Sequence, residues 1–154
     1  MCKSQVNKMY ENFKYQPKDF PYPLNEDMER ALTVLRSYLA GIPYPEGGKA
    51  VLEDMEKNEY YYETIFYLIF SFMNRHIQTQ VKTCRGRADM VMQTPKTIYV
   101  FELKINKSAQ EALEQIDEKG YMIPYTADGR KLVKCGISFS TQTRTIEDWV
   151  IEEA

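Results

Sequence analysis

At His76 the spacing of apolar residues changes from the helical period of about 3.6 to the strand period of 2, which divides the chain into a helical front and a sheet-forming back. In the front, Asn25 reads as a helix N-cap with Glu26 and Asp27 in the first turn, and Met28, Ala31, Leu32, Leu35 and Leu39 form one stripe. Gly41 and Pro43 end that helix. After the loop IPYPEGG a second helical segment covers residues 49–74, either whole or broken near Asn58. Behind His76, residues 77–82, 88–93, 98–105 and 132–139 read as strands, with a turn around Pro95. A further strand through residues 149–151 is an open possibility. Between the last two main strands lies one more helix. Ser108 and Glu111 form its capping box, Ala112, Leu113 and Ile116 its apolar stripe, and Gly120 stands where a C-cap glycine belongs. This order predicts an α/β sandwich around a mixed sheet.

With 154 residues, 44% of them hydrophobic, the chain fits one packed domain and excludes a disordered one. Pro17, Pro21 and Pro23 mark residues 1–24 as an extended arm, leaving 25–154 as the domain. The net charge of −2 is unevenly spread. Residues 64–101 hold Arg75, Lys82, Arg85, Arg87 and Lys96 against the single acid Asp89, while both flanks are acidic. Those cations are either a phosphate-contact surface or simply solvated. Cys2, Cys84 and Cys135 match no zinc or disulfide spacing and fit a reducing cytosol. The start lacks a signal-peptide apolar region and no apolar run is long enough for a bilayer, so a soluble, cytoplasmic chain with no membrane partner is expected. The lone His76 excludes multi-histidine metal sites and reads as a surface residue.

The strand IYVFELKI carries the chemistry. Val100, Glu102 and Lys104 point to one face, and Phe101, Leu103 and Ile105 to the other, which is core. A carboxylate and an ammonium in so apolar a strand would be costly without a purpose. A hairpin around Pro95 brings Asp89, from GRADMVM, beside Glu102, so that two carboxylates converge on a lysine. Oxygen ligands without His or Cys select a hard ion, Mg²⁺ or Mn²⁺, of the kind that binds phosphate oxygens. Phosphodiester hydrolysis uses this set, with Lys104 orienting water or offsetting charge on the phosphate. An ordinary edge strand with solvated charges competes with that reading. In the second helix, a stripe centred on Phe66 includes Tyr62, Ile69, Phe70 and Met73 together with Glu59 and Glu63. These two acids either complete the metal site or favour the N-terminal dipole of a helix that starts afresh at Asn58.

Asp89, then Glu102, Leu103 and Lys104, resemble the D…ExK signature of the PD-(D/E)XK nuclease superfamily. The strings GRADMV, IYVFELKI, EALEQIDEKGY, KCGISFS and the terminal R-x-I-x-x-W are similar to the nuclease-like domain at the C-terminus of bacterial proteins that begin with an AAA-ATPase-like domain. The resemblance runs from about Leu24 to the end. It implies a restriction-endonuclease-like central mixed sheet flanked by helices, and a metal shell of Asp89 and Glu102 with Glu59, or secondly Glu63, from the first-helix position. It also matches Gln115, Lys119 and Tyr121 to a segment that helps position the scissile strand; separately, the basic central segment makes Arg85 and Arg87 candidate phosphate contacts. Gln115 and Lys119 share a helix face, though a solvated polar stripe would look the same.

The expected partner is nucleic acid, DNA foremost, with an ATPase-like domain or protein as a second. That domain is absent upstream, so the chain reads as a stand-alone version or a fragment. Gly47 and Gly48 before Lys49 lack the remaining features of a phosphate-binding loop, so ATP binding is not expected. The alternative to a nuclease is a non-cleaving module that binds nucleic acid or protein within a larger ATPase-linked system, and a third reading is a purely structural module of an ATPase assembly with tyrosines 60–62 as exposed contacts.

Overall fold

A computed structural model of the chain describes residues 27–42, 59–72 and 76–154, with side chains in the second segment at 62–69 and 71. The arm expected over residues 1–24, the Gly47–Gly48 loop and any break at Asn58 lie outside the described residues. Those described form α1 (Met28–Ala40), α2 (Glu59–Phe72), β1 (His76–Thr83), β2 (Gly86–Gln93), β3 (Thr97–Ile105), α3 (Ala109–Glu118), a short 3₁₀ turn (Ile123–Tyr125), β4 (Lys131–Ser140) and β5 (Thr145–Glu153).

The first helix begins two residues later than the spacing of its acids suggests. Asp27, rather than Asn25, is the N-cap, and its carboxylate accepts the Arg30 amide at 2.9 Å. An aspartate satisfies an orphan amide as well as an asparagine does, and capping at 27 opens the helix on the buried Met28. Met28, Ala31, Leu32, Leu35 and Leu39 are all buried, as their stripe predicts. Two contacts tie this helix to the last strand: Thr145 Oγ1 donates to the Arg36 carbonyl at 3.0 Å, and Trp149 Nε1 donates to Glu29 at 2.6 Å. With this support β5 runs well beyond residues 149–151.

The sheet order is β1-β2-β3-β4-β5, antiparallel except for the parallel pair β3 and β4, which α3 connects. It is the expected mixed α/β sheet flanked by helices. Helices cover both faces, so the expectation of a single core face behind β3 needs correction. Tyr99, Phe101 and Leu103 pack with α1 and α2, while Ile98 and Val100 pack with Ile116, Tyr121 and Met122 on the other side. Only at the C-terminal end of β3, where Glu102 and Lys104 lie, does the second face take polar residues.

Helix α2 is held down by Tyr62, whose ring stacks on Phe139 at 4.1 Å, and by Phe66, which meets the same ring edge-on at 5.7 Å. Tyr62 is buried, which removes it from any exposed tyrosine contact surface. Helix α3 opens on the predicted capping box, with Ser108 Oγ accepting the Glu111 amide at 3.1 Å and Glu111 accepting the Ser108 amide at 2.9 Å. It closes in a Schellman arrangement, in which Gly120 at φ +62° lets the Gly120 and Tyr121 amides reach the Asp117 and Ile116 carbonyls, both at 3.0 Å.

Candidate active site

Strand β3 carries Glu102 and Lys104 side by side, with Lys104 Nζ 3.3 Å from Glu102 Oε1. Glu102 is only 1% exposed, although it is a carboxylate in a sheet. Its Oε1 also accepts a hydrogen bond from Gln115 Nε2 of α3, whereas its Oε2 is buried with no hydrogen-bond partner. A buried carboxylate oxygen left in this state is rare and points to something that binds there. Burial first, and then the negative charge of Asp89, push the Glu102 carboxyl up to about 8; Lys104 and a hydrogen bond from the Asp89 backbone only partly oppose them.

Asp89 reaches this neighbourhood because the hairpin register points it there and the ladder then stops. Strands β2 and β3 pair from Gln93↔Ile98 to Met90↔Phe101, a register whose next step is Asp89 opposite Glu102. Instead of continuing the ladder, Asp89 Oδ2 accepts the Leu103 amide at 2.8 Å. The side chain thus replaces the missing backbone partner and fixes its carboxylate between the two strands.

Asp89 also interacts with Glu63 of α2, which is 3% exposed. It shares a hydrogen bond and like-charge repulsion with Asp89, and accepts a hydrogen bond from Gln80 Nε2 at 2.5 Å. Burial first, and then Asp89, raise its carboxyl to about 7, with Gln80 and the charge of Arg87 acting in the opposite sense. Of the two acids proposed from the helix stripe, Glu63 is therefore beside Asp89. The Glu59 side chain lies outside the described residues, although the described helix does begin at that position.

The remaining predicted residues divide. Gln115 is half-buried and turned toward Glu102, whereas Lys119 is exposed as the C-cap of α3. Tyr121 is buried at 3% exposure in the core beneath α3, and its hydroxyl would lie 3.1 Å from a Cβ on Gly86. It therefore braces the β1–β2 hairpin against α3. Arg85 and Arg87 are exposed on that hairpin, with Arg85 Nη1 3.8 Å from where a Cβ on Gly120 would stand. The basic hairpin thus meets the C-terminal end of α3, next to Lys119. His76 is exposed at the start of β1, as a surface histidine should be.

Two further residues shape the cluster. Gly136 is the parallel neighbour of Glu102 on β4, and a Cβ there would lie 2.3 Å from the Ala109 carbonyl and 2.7 Å from the Leu113 amide. Its bare backbone lets α3 settle on the sheet and carry Gln115 to Glu102. A glycine inside an apolar strand, KCGISFS, is the available signal for such an approach. Gln80 is the second, and no pattern in the sequence marks it.

Among the described residues no three His, Cys, Asp or Glu side chains gather into a ready ligand set. A hard divalent ion does not require one, because Mg²⁺ binds through one or two carboxylates and fills its remaining positions with water and phosphate. The partnerless Glu102 Oε2 next to Asp89, in an all-oxygen donor set, fits such an ion. Among the described residues no helix is long and apolar enough to cross a membrane.

An uncharacterized protein in the vnfD 5′ region of Azotobacter chroococcum mcd 1 is 28% identical over 131 residues, which is 84% of this chain and 25% of that relative. The chain therefore spans about a quarter of the length of the curated relative it matches. No solved structure gives a significant match. The family comparison matches residues 57–149, from α2 through most of β5, and includes Glu63, Asp89, Glu102 and Lys104. With this sheet, this D…ExK geometry and that match, the chain belongs to the PD-(D/E)XK nuclease superfamily.

Proposed function

We propose that the chain hydrolyses phosphodiester bonds of nucleic acid, DNA foremost, in a reaction that needs Mg²⁺ or Mn²⁺. The observation that carries this reading is the buried Glu102 carboxylate, which has one oxygen without a partner while Asp89 and Lys104 stand beside it. Asp89 and Glu102 would hold the ion, supported by Glu63. When bound, the ion supplies Lewis acidity to a phosphate oxygen and acidifies an attacking water. Lys104 keeps its ammonium within 3.3 Å of Glu102, where it orients water and offsets negative charge growing on the phosphate. Gln115 holds Glu102 Oε1 and leaves Oε2 for the ion. Arg85, Arg87 and Lys119, exposed around the hairpin and the end of α3, would meet the phosphate backbone, with Tyr121 bracing the hairpin from beneath.

The narrower placement, in the branch that forms the C-terminal domain of bacterial AAA-ATPase-like proteins, rests on the strings GRADMV, EALEQIDEKGY and KCGISFS. In that setting an ATPase-like domain or protein is the partner, and the cytoplasm the compartment. A second reading, a non-cleaving module that binds nucleic acid or protein, is favoured by the lack of a preassembled ligand set among the described residues. Incubation with single- and double-stranded DNA and RNA in Mg²⁺, Mn²⁺ or chelator separates the two. Metal-dependent fragments support the nuclease, whereas binding with intact substrate under every condition supports the module.

A further inference from the structure

Strands β1 and β2 turn over together at a single point. Ile77 and Val81 are four residues apart and should share a face, yet Ile77 packs with α1 and α2 and Val81 packs on the α3 side. Ala88 and Val91 are three apart and should lie on opposite faces, yet both pack on the α3 side. The ladder runs regularly to Thr79↔Met90 and resumes at Val81↔Ala88, skipping the facing positions Gln80 and Asp89. Gln80 adopts φ +53°, a left-handed conformation for a residue that is neither glycine nor asparagine. Such a backbone is disfavoured for a residue with a Cβ and persists only where its surroundings impose it.

Both residues at the turnover send their side chains into the carboxylate cluster. Asp89 reaches the Leu103 amide at 2.8 Å, and Gln80 donates to Glu63 Oε2 at 2.5 Å. We infer that Gln80 is a positioning residue, whose left-handed backbone aims its amide at Glu63 and sets that carboxylate against Asp89. This inference rests on reading the cluster as a divalent-metal site. An amide suits the task, because it donates to a carboxylate oxygen without adding a positive charge that would compete with the ion. It occupies only Oε2 of a carboxylate that also interacts with Asp89. Gln80 acts through Glu63, to which it donates its hydrogen bond, as residues that orient metal-holding carboxylates do.

The test is Mn²⁺ binding by the full chain, measured by titration calorimetry and by the Mn²⁺ electron paramagnetic resonance signal, with thermal melting alongside. Gln80→Asn and Gln80→Gly both suit a left-handed backbone, but one shortens the amide's reach and the other removes it. Both should weaken Mn²⁺ binding about 10- to 100-fold and alter the resonance signal, while the melting temperature is held and the exposed control Gln78→Ala binds as the unsubstituted chain does. Gln80→Met, equal in length and without a donor, gives the same reading should either variant fail to fold. Variants that bind Mn²⁺ within about twofold of the unsubstituted chain would overturn the positioning role alone. An unsubstituted chain that binds no Mn²⁺ would overturn the metal-site reading and the positioning role with it.

Discussion

Asp89 Oδ2 holds the Leu103 amide at 2.8 Å just past the point where β2 stops pairing with β3. One hydrogen bond thereby closes the gap in the sheet and fixes a carboxylate next to the buried Glu102. The like charges so confined have consequences for stability, metal binding and reactivity.

The first consequence is an unusual dependence on pH. The Glu102 carboxyl is raised from 4.5 to about 8 and Glu63 from 4.5 to about 7, so the folded chain binds more protons than the unfolded chain between these limits. Their stabilising contribution is fully present below about pH 4.5 and is lost as pH rises through the folded values. Urea denaturation without metal should therefore give a contribution that falls between pH 5 and 8, and Glu102→Gln should flatten much of that fall. A slope unchanged in Glu102→Gln would contradict the assignment.

Gly136→Ala should strain the packing of α3 on β4. The added Cβ would meet backbone atoms at 2.3 and 2.7 Å, which cannot rotate away as a side chain can. A loss of about 1–3 kcal/mol in urea denaturation is expected from such overpacking. Because the displaced helix carries Gln115, Mn²⁺ binding should weaken as well. Unchanged stability would mean that α3 does not rest on the sheet as described.

Arg85 and Arg87 are exposed on the β1–β2 hairpin, so Arg85→Gln with Arg87→Gln should leave the fold intact. If both contact phosphate, affinity for DNA of any sequence should fall, and the slope of log affinity against log salt should become shallower by about 2. Fluorescence anisotropy across a salt series reads this directly. An unaltered slope would assign these arginines to solvent.

Much of the fold was legible because its signals are local. The α1 stripe, the Ser108–Glu111 capping box, Gly120 as the helix-ending glycine and the alternation in IYVFELKI each depend on residues close in sequence. The pairing of Asp89 with the Glu102 neighbourhood was also readable, since a short turn around Pro95 fixes the register. The cap of α1 was misplaced by two residues because Asn25 and Asp27 are comparable caps, and only the Asp27 hydrogen bond to Arg30 separates them. The second apolar face was missed because residues of α3 cover it, and strand alternation cannot say what lies across a sheet. Gln80 was invisible for a related reason. Its left-handed backbone and its hydrogen bond to Glu63 of α2 are tertiary features that leave no mark in composition or spacing.

If Glu102 and Lys104 form a working catalytic centre with Asp89, Lys104 is the residue whose loss should show it. The most direct test is single-turnover cleavage of labelled DNA in Mg²⁺ or Mn²⁺ by the unsubstituted chain and by Lys104→Ala. Metal-dependent cleavage is expected, slowed by about 100-fold or more in Lys104→Ala with melting temperature and DNA affinity little changed. Cleavage at equal rates by the two proteins would contradict such a centre.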